Sequence, residues 1–300
     1  MGKSGTTLGR FGVAGRYVAQ EWHLLWQCKS CTGVACIYPG AMDGSLSPDL
    51  HQTRRVLSEG HCDLPILYRD ASWLGVFFAV ELPRAVELLE GTGLEPWPFF
   101  GRALAAVYAW DYRDSTVGAY KEVGLGVQAR VAGASPSLVG LAMDMLAQPE
   151  QAIWVASLPV TTEAACRAGV EVWGYPKYVT EIETHFDERG GRARLGDELE
   201  VAVPRPTVFR KNLPIATYTR REGELVRTSI EVRSDVQLCA GGSLKMLSGQ
   251  GQTAERARQL GLDGARVLGG FHSQRFDATL PEGKPMPLPS RAGGAKLASK

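Results

Sequence analysis

No run in this 300-residue sequence approaches the roughly 18 to 20 consecutive apolar residues that a membrane-spanning helix needs. An excess of one charge sign is also missing. The 33 basic and 32 acidic side chains leave a formal +1, which gives no electrostatic footprint for nucleic acid or an anionic membrane. The opening residues hold no apolar core ahead of a small-residue cleavage site, so a soluble, cytoplasmic protein is expected. No Gly-x-Ser-x-Gly elbow occurs, and "GLGVQARVAG" lacks both the spacing and the strand-to-helix setting of a dinucleotide loop. "GRFGVAGR" has no strand before it that would make it a phosphate cradle.

Six cysteines are present, three of them close together as Cys28, Cys31 and Cys36 in "CKSCTGVAC", with His61 and Cys62 further on. Two thiolates on one tight turn suit tetrahedral zinc, yet no later Cys-x-x-Cys or His-x-x-x-His completes a second knuckle. Ordinary reduced thiols are therefore expected, with no metal or other cofactor assigned. Structural zinc in the N-terminal segment is the alternative. Cys166 and Cys239 read as small core residues.

Glycine-rich sequence broken into short β-type runs favours a mainly β fold. An apolar run over residues 73–80 reads as a buried strand, and Pro83 opens a short helix through Leu89. Residues 103–114 and 119–131 read as an antiparallel hairpin. "SPSLVGLAMDMLAQPEQ" has helical spacing, "AIWVASLPV" reads as a strand, and "TTEAACRAG" reads as a short helix capped by threonine and stopped by Gly169. Alternation around an Arg-Gly-Gly turn predicts a hairpin over 178–204, with further strands at 225–239 and 265–280. His272, in the last of these, reads as a core or edge residue. A mainly antiparallel barrel or folded sheet fits this count.

The segment "VEVWGYPKYVTEI" places Lys177 directly after a Tyr-Pro pair. Pro176 fixes the backbone, and Trp173, Tyr175, Tyr178 and Val179 supply the apolar bulk to enclose an amine. Enclosure disfavours the ammonium form of an amine, and a neutral lysine condenses with a ketone to give an imine.

"TTEAACRAGVEVWGYPKY" and, upstream, the Gly-x-Tyr-x-Glu strand in "DSTVGAYKEV" together resemble the acetoacetate decarboxylase superfamily over roughly residues 65–280. The resemblance implies an α+β, mainly β fold built on a cone-shaped antiparallel barrel, a homo-oligomer and a Schiff-base lysine. On its motifs Lys177 is the nucleophile and Glu122 the acidic residue facing it. The sequence departs from the family pattern in two places. Tyr178 stands where the decarboxylase has a second lysine, and Val107 stands near a second active-site glutamate. Residues 1–60 are expected to form an extended arm, 61–282 the barrel domain and 283–300 a flexible tail.

The implied activity is decarboxylation of a β-keto acid or related oxo acid through an imine on Lys177, with Glu122 shuttling protons. Two alternatives stand beside it: aldolase, dehydratase or cyclase chemistry on a bulkier apolar keto substrate, and a non-catalytic small-molecule-binding barrel. Arg69 and Arg167 are candidates to clamp a substrate carboxylate. Tyr120, Trp173, Tyr175 and Tyr178 are candidates to contact substrate, and Glu171 is expected to support the lysine corner.

Overall fold

The computed structural model describes residues 50–133, 152–206, 210–211 and 215–287. The cysteine cluster at 28–36 and the helix expected over 135–151 lie outside them. So do all of residues 1–49.

The described chain begins with a hairpin of β1 (Thr53–Val56) and β2 (His61–Leu64), followed by the long β3 (Ile66–Glu81) and helix α1 (Leu82–Leu88). Short β4 (Leu94–Pro96) and β5 (Pro98–Phe99) precede β6 (Arg102–Ser115) and β7 (Tyr120–Val131), and β8 (Ala152–Ser157) follows. Helix α2 (Glu163–Ala168) runs into a π turn, Gly169–Trp173. Next come β9 (Ile182–Asp187), β10 (Gly190–Leu195), β11 (Leu199–Val203), β12 (Arg210–Lys211), β13 (Ile215–Arg221) and β14 (Glu224–Ser234). The described chain ends with β15 (Val236–Cys239), β16 (Ser243–Met246), α3 (Gln252–Gln259), β17 (Arg266–Ser273), β18 (Phe276–Leu280) and β19 (Lys284–Met286).

Seven of these strands close a barrel in the order β3, β18, β14, β13, β8, β7, β6, with β6 pairing back onto β3. The pairings are antiparallel except β13 with β8. A second sheet, in the order β16, β11, β10, β9, packs outside. Strands β3 and β6 are consequently buried on both faces, which explains why their sequences read as continuous apolar runs and not as simple alternation. Leu74, Val76 and Phe78 of β3, with Ala105, Val107 and Ala109 of β6, meet Leu195, Leu199 and Val201 of the outer sheet. Trp73 of β3 and Tyr108, Trp110 and Tyr112 of β6 face the interior of the barrel. Period-two geometry thus splits each strand between two cores.

Several expectations need adjustment. The 225–239 run is two strands, because at Asp235 the chain leaves β14 and turns into β15, which pairs with β17 and not with the barrel ring. The 265–280 run breaks between Ser273 and Phe276, where the Ser273 hydroxyl accepts from the Arg275 amide at 3.1 Å. Helix α3 and strand β13 were not expected at all. Strand pairing also extends beyond both ends of the expected barrel domain, through β1 on one side and β19 on the other.

His272 on β17 is 2% exposed, and neither ring nitrogen has a hydrogen-bond partner among the described residues. Burial holds its imidazole below the ordinary histidine range, with Asp187 pulling the other way. The unfolded chain therefore takes up a proton near pH 6.5 that the folded chain resists. Stability should accordingly fall as the pH drops from about 6.5 toward the lower folded value. Melting curves of wild type and His272→Leu between pH 7.5 and 5.5 test this, and the variant should lose part of the acid-side decline.

Candidate active site

Lys177 and Glu122 are 55 residues apart in sequence and are brought together by a short connecting segment after β8. Val123 donates its amide to Pro159, while Leu158 and Val160 donate theirs to Pro176 and Tyr178. Residues 158–160 thus lie between the Glu122 strand and the lysine segment and are hydrogen-bonded to both. Lys177 Nζ donates to Glu122 Oε2 at 2.6 Å, and the two side chains are only 6% and 8% exposed. The amine also sits 5.5 Å from the centre of the Tyr120 ring and 5.8 Å from that of Tyr175, so aromatic faces cover it on two sides.

The corner that carries Lys177 is built from the preceding helix. The Thr162 hydroxyl accepts from the Ala165 amide, as the sequence suggests for an N-cap. Gly169, however, does not stop the helix. It keeps helical angles, the π turn follows, and Gly174 supplies the left-handed residue at φ 69°. A side chain at Gly174 would also meet the Arg220 carbonyl at 2.0 Å. Gly169 has a different task, since a Cβ there would lie 2.4 Å from Cδ and 2.5 Å from Cε of Lys177. The missing side chain is the groove in which the lysine stem lies.

Both side chains open onto a cavity of about 210 Å³ inside the barrel. Nine aromatic residues line it, and among its described lining Lys177 is the only cation and Glu122 the only carboxylate. The Tyr68 and Tyr120 hydroxyls are 3.0 Å apart, and that of Tyr175 pairs with Thr217 at 2.8 Å. Burial, reinforced by the nearby Glu122 charge, pushes the Tyr68, Tyr112 and Tyr120 phenols well above their usual range. These hydroxyls therefore stay protonated and available as donors at any working pH.

Of the substrate-contacting candidates, only Tyr175 lines this cavity with Lys177 and Glu122. Tyr120 covers the amine from behind, and Trp173 is buried beneath the corner with its indole donating to the Pro281 carbonyl at 2.8 Å. Tyr178 points the other way, donating to Glu198 at 2.7 Å and meeting the Thr253 hydroxyl at 2.8 Å, and its enclosure pushes the phenol up to about 12.

Neither arginine reaches the cavity. Tyr68 faces inward, so the next residue, Arg69, turns outward at the bulged β3–β6 register and pairs with Asp114 at 3.3 Å. Arg167 extends to the loop between β1 and β2, where it meets Glu59 at 2.7 Å. Glu171 accepts from the Ser58 amide at 2.8 Å and from the Ser58 hydroxyl, contacts that hold its carboxyl below the usual range. Arg167 and Glu171 together tie that loop to the lysine corner.

Sequence reasoning missed the ring-lined wall. Its signal was the alternation in "YAWDY", which sets Tyr108, Trp110 and Tyr112 on one face of β6. Among the described residues no cluster of His, Cys, Asp and Glu is placed to hold a metal ion, and no helix is long and apolar enough to cross a membrane.

Fold and site together define a closed β-barrel protein with a buried amine–carboxylate pair facing its interior. The family model described as acetoacetate decarboxylase (ADC) matches residues 56–206, and the chain belongs to that family. No curated protein sequence matches it. Among solved structures it resembles an acetoacetate decarboxylase from Legionella pneumophila subsp. pneumophila str. Philadelphia 1, at 17% identity and a TM-score of 0.55, over 85% of this chain and 98% of that one. A second acetoacetate decarboxylase structure is 13% identical with a TM-score of 0.57, over 77% and 91% of the two chains. The enduracididine biosynthesis enzyme MppR is 17% identical with a TM-score of 0.52, over 74% and 88%. At these identities the likeness shows a shared fold.

Proposed function

We propose that the protein is a Schiff-base-forming carbon–carbon lyase acting on a β-keto acid or related oxo acid, with Lys177 as nucleophile. The observation that carries this reading is the 2.6 Å Lys177–Glu122 contact opening onto an apolar cavity. Glu122 is within reach of the proton that the amine must lose before it attacks the ketone. Addition and loss of water give an iminium. The bond to the carboxylate then breaks, carbon dioxide leaves, and the electron pair moves toward nitrogen to form an enamine. Glu122 delivers a proton to the enamine carbon, and water hydrolyses the resulting iminium to release the ketone and restore the amine. An apolar wall assists the cleavage step, because a carboxylate stripped of water gains less from remaining charged.

Aldol-type chemistry on a bulkier carbonyl compound is the second reading, through the same enamine. It is favoured by a described cavity lining rich in rings and without a guanidinium. MppR, which shares the fold, has been seen complexed with the condensation product of pyruvate and imidazole 4-carboxaldehyde.

The test is to incubate the protein with a panel of β- and α-oxo acids, reduce with borohydride and map the modified peptide by mass. A substrate-sized adduct on Lys177 is expected, absent from Lys177→Ala, and product analysis then separates decarboxylation from aldol chemistry. Folded protein that yields no adduct with any carbonyl compound would point to a binding barrel.

A further inference from the structure

Resting on the imine reading above, we propose that the carbonyl compound taken by Lys177 carries a single aromatic ring, lodged in the ring-lined part of the cavity. The first support is size. The cavity of about 210 Å³ is larger than the roughly 150 Å³ of apolar space that holds one benzene ring, and smaller than the roughly 300 Å³ at which pockets for drug-sized ligands begin. A four-carbon keto acid would leave much of that space unfilled, losing the contacts that make apolar burial favourable.

The second support is the geometry of the walls. Trp73 stacks on Trp110 at 6.1 Å and 15°, and Trp110 stacks on Tyr112 at 6.4 Å and 7°, so β3 and β6 present near-parallel ring planes. Phe271 closes edge-on against Trp73 at 4.4 Å. The two stacked separations fall in the range in which aromatic rings attract one another and the edge-on one lies at its short limit, so a ligand ring has faces and edges ready to meet.

Glycines keep the space open. A Cβ at Gly75 would lie 2.3 Å from the Phe271 ring and 2.9 Å from Tyr108, and one at Gly124 would lie 3.1 Å from Leu158 and 3.2 Å from the Trp110 ring. Gly124 is one residue beyond Val123 on the strand that carries Glu122 and lines the cavity itself. The ring space and the reacting pair therefore share one strand.

The probes are acetoacetate and 3-oxo-3-phenylpropanoate, which differ by a methyl against a phenyl group. Borohydride trapping rates on the wild-type protein are compared with equilibrium binding of both acids to Lys177→Met, which keeps the cavity and lacks the amine. The phenyl acid should be trapped, and should bind, at least about tenfold better, the order of discrimination an apolar pocket gives. Gly124→Ala should reduce that preference. Equal or better performance by acetoacetate in both measurements, with adducts on Lys177, would overturn the ring assignment and leave the imine chemistry standing. Preferential binding of the phenyl acid without any adduct would support the ring assignment and sink the imine reading. If Lys177→Met does not fold, the trapping ratio on the wild type decides alone.

Discussion

Lys177→Met lowers the unfolding free energy by about 3 kcal/mol or more, Glu122→Leu does the same, and the two changes together cost far less than their sum. That is the expected result because, among the described residues, each side chain is the sole charged partner of the other in a nearly dry setting. Removing one leaves a charge facing rings, whereas removing both leaves an apolar patch of similar volume. Denaturant unfolding of the four members of this cycle measures the coupling directly. Additive losses would show that each group is independently solvated and would weaken the case for an enclosed amine. The cycle also has to be known before any activity loss in the single variants is assigned to chemistry.

Gly169→Ala should lower turnover about a hundredfold while costing less stability than Lys177→Met, because it loosens the buried pair but leaves both charges near one another. The backbone at Gly169 is ordinary helix, which alanine adopts at no cost. What stands in its way is the stem of Lys177, and a flexible side chain moves aside more easily than backbone. The amine would then leave its 2.6 Å contact with Glu122. Misplacing a reacting group by about 1 Å is enough for a loss of that order. The informative measurement is the borohydride trapping rate beside a melting curve. A variant that traps normally would show that the lysine needs no fixed groove. A variant less stable than Lys177→Met would show that the methyl pushed the corner and not only the side chain.

The two central residues were legible because each sits in a compact local pattern, a Tyr-Pro-Lys corner and a Gly-x-Tyr-x-Glu strand. Their contact was not legible, since it depends on residues 158–160 bridging two segments that are remote in sequence. The arginines failed for a different reason. The family resemblance nominates Arg69 as the clamp by its approximate place on the strand, and the bulged register that sets Tyr68 inward and Arg69 outward leaves no mark in residue types. Arg167 answers to Glu59, a partner 108 residues away. Gly169 was read as a helix stop because glycine after a short helix usually is one. Its role as a groove appears only once the lysine folds back over it. The "YAWDY" alternation was readable, but a strand buried on both faces hides which face belongs to a cavity and which to an outer sheet.

The loop between β1 and β2 bears on where this chain may be shortened. Ser58 and Glu59 hold Glu171 and Arg167, and Leu57 packs against the inner core. A protein begun at residue 61 would keep every barrel strand together with Lys177 and Glu122, yet would lose the clasp on the helix and π turn that aim the lysine. One begun at residue 50 would retain it. The boundary that looks natural in the sequence, where the barrel strands are about to start, therefore cuts through the support of Lys177.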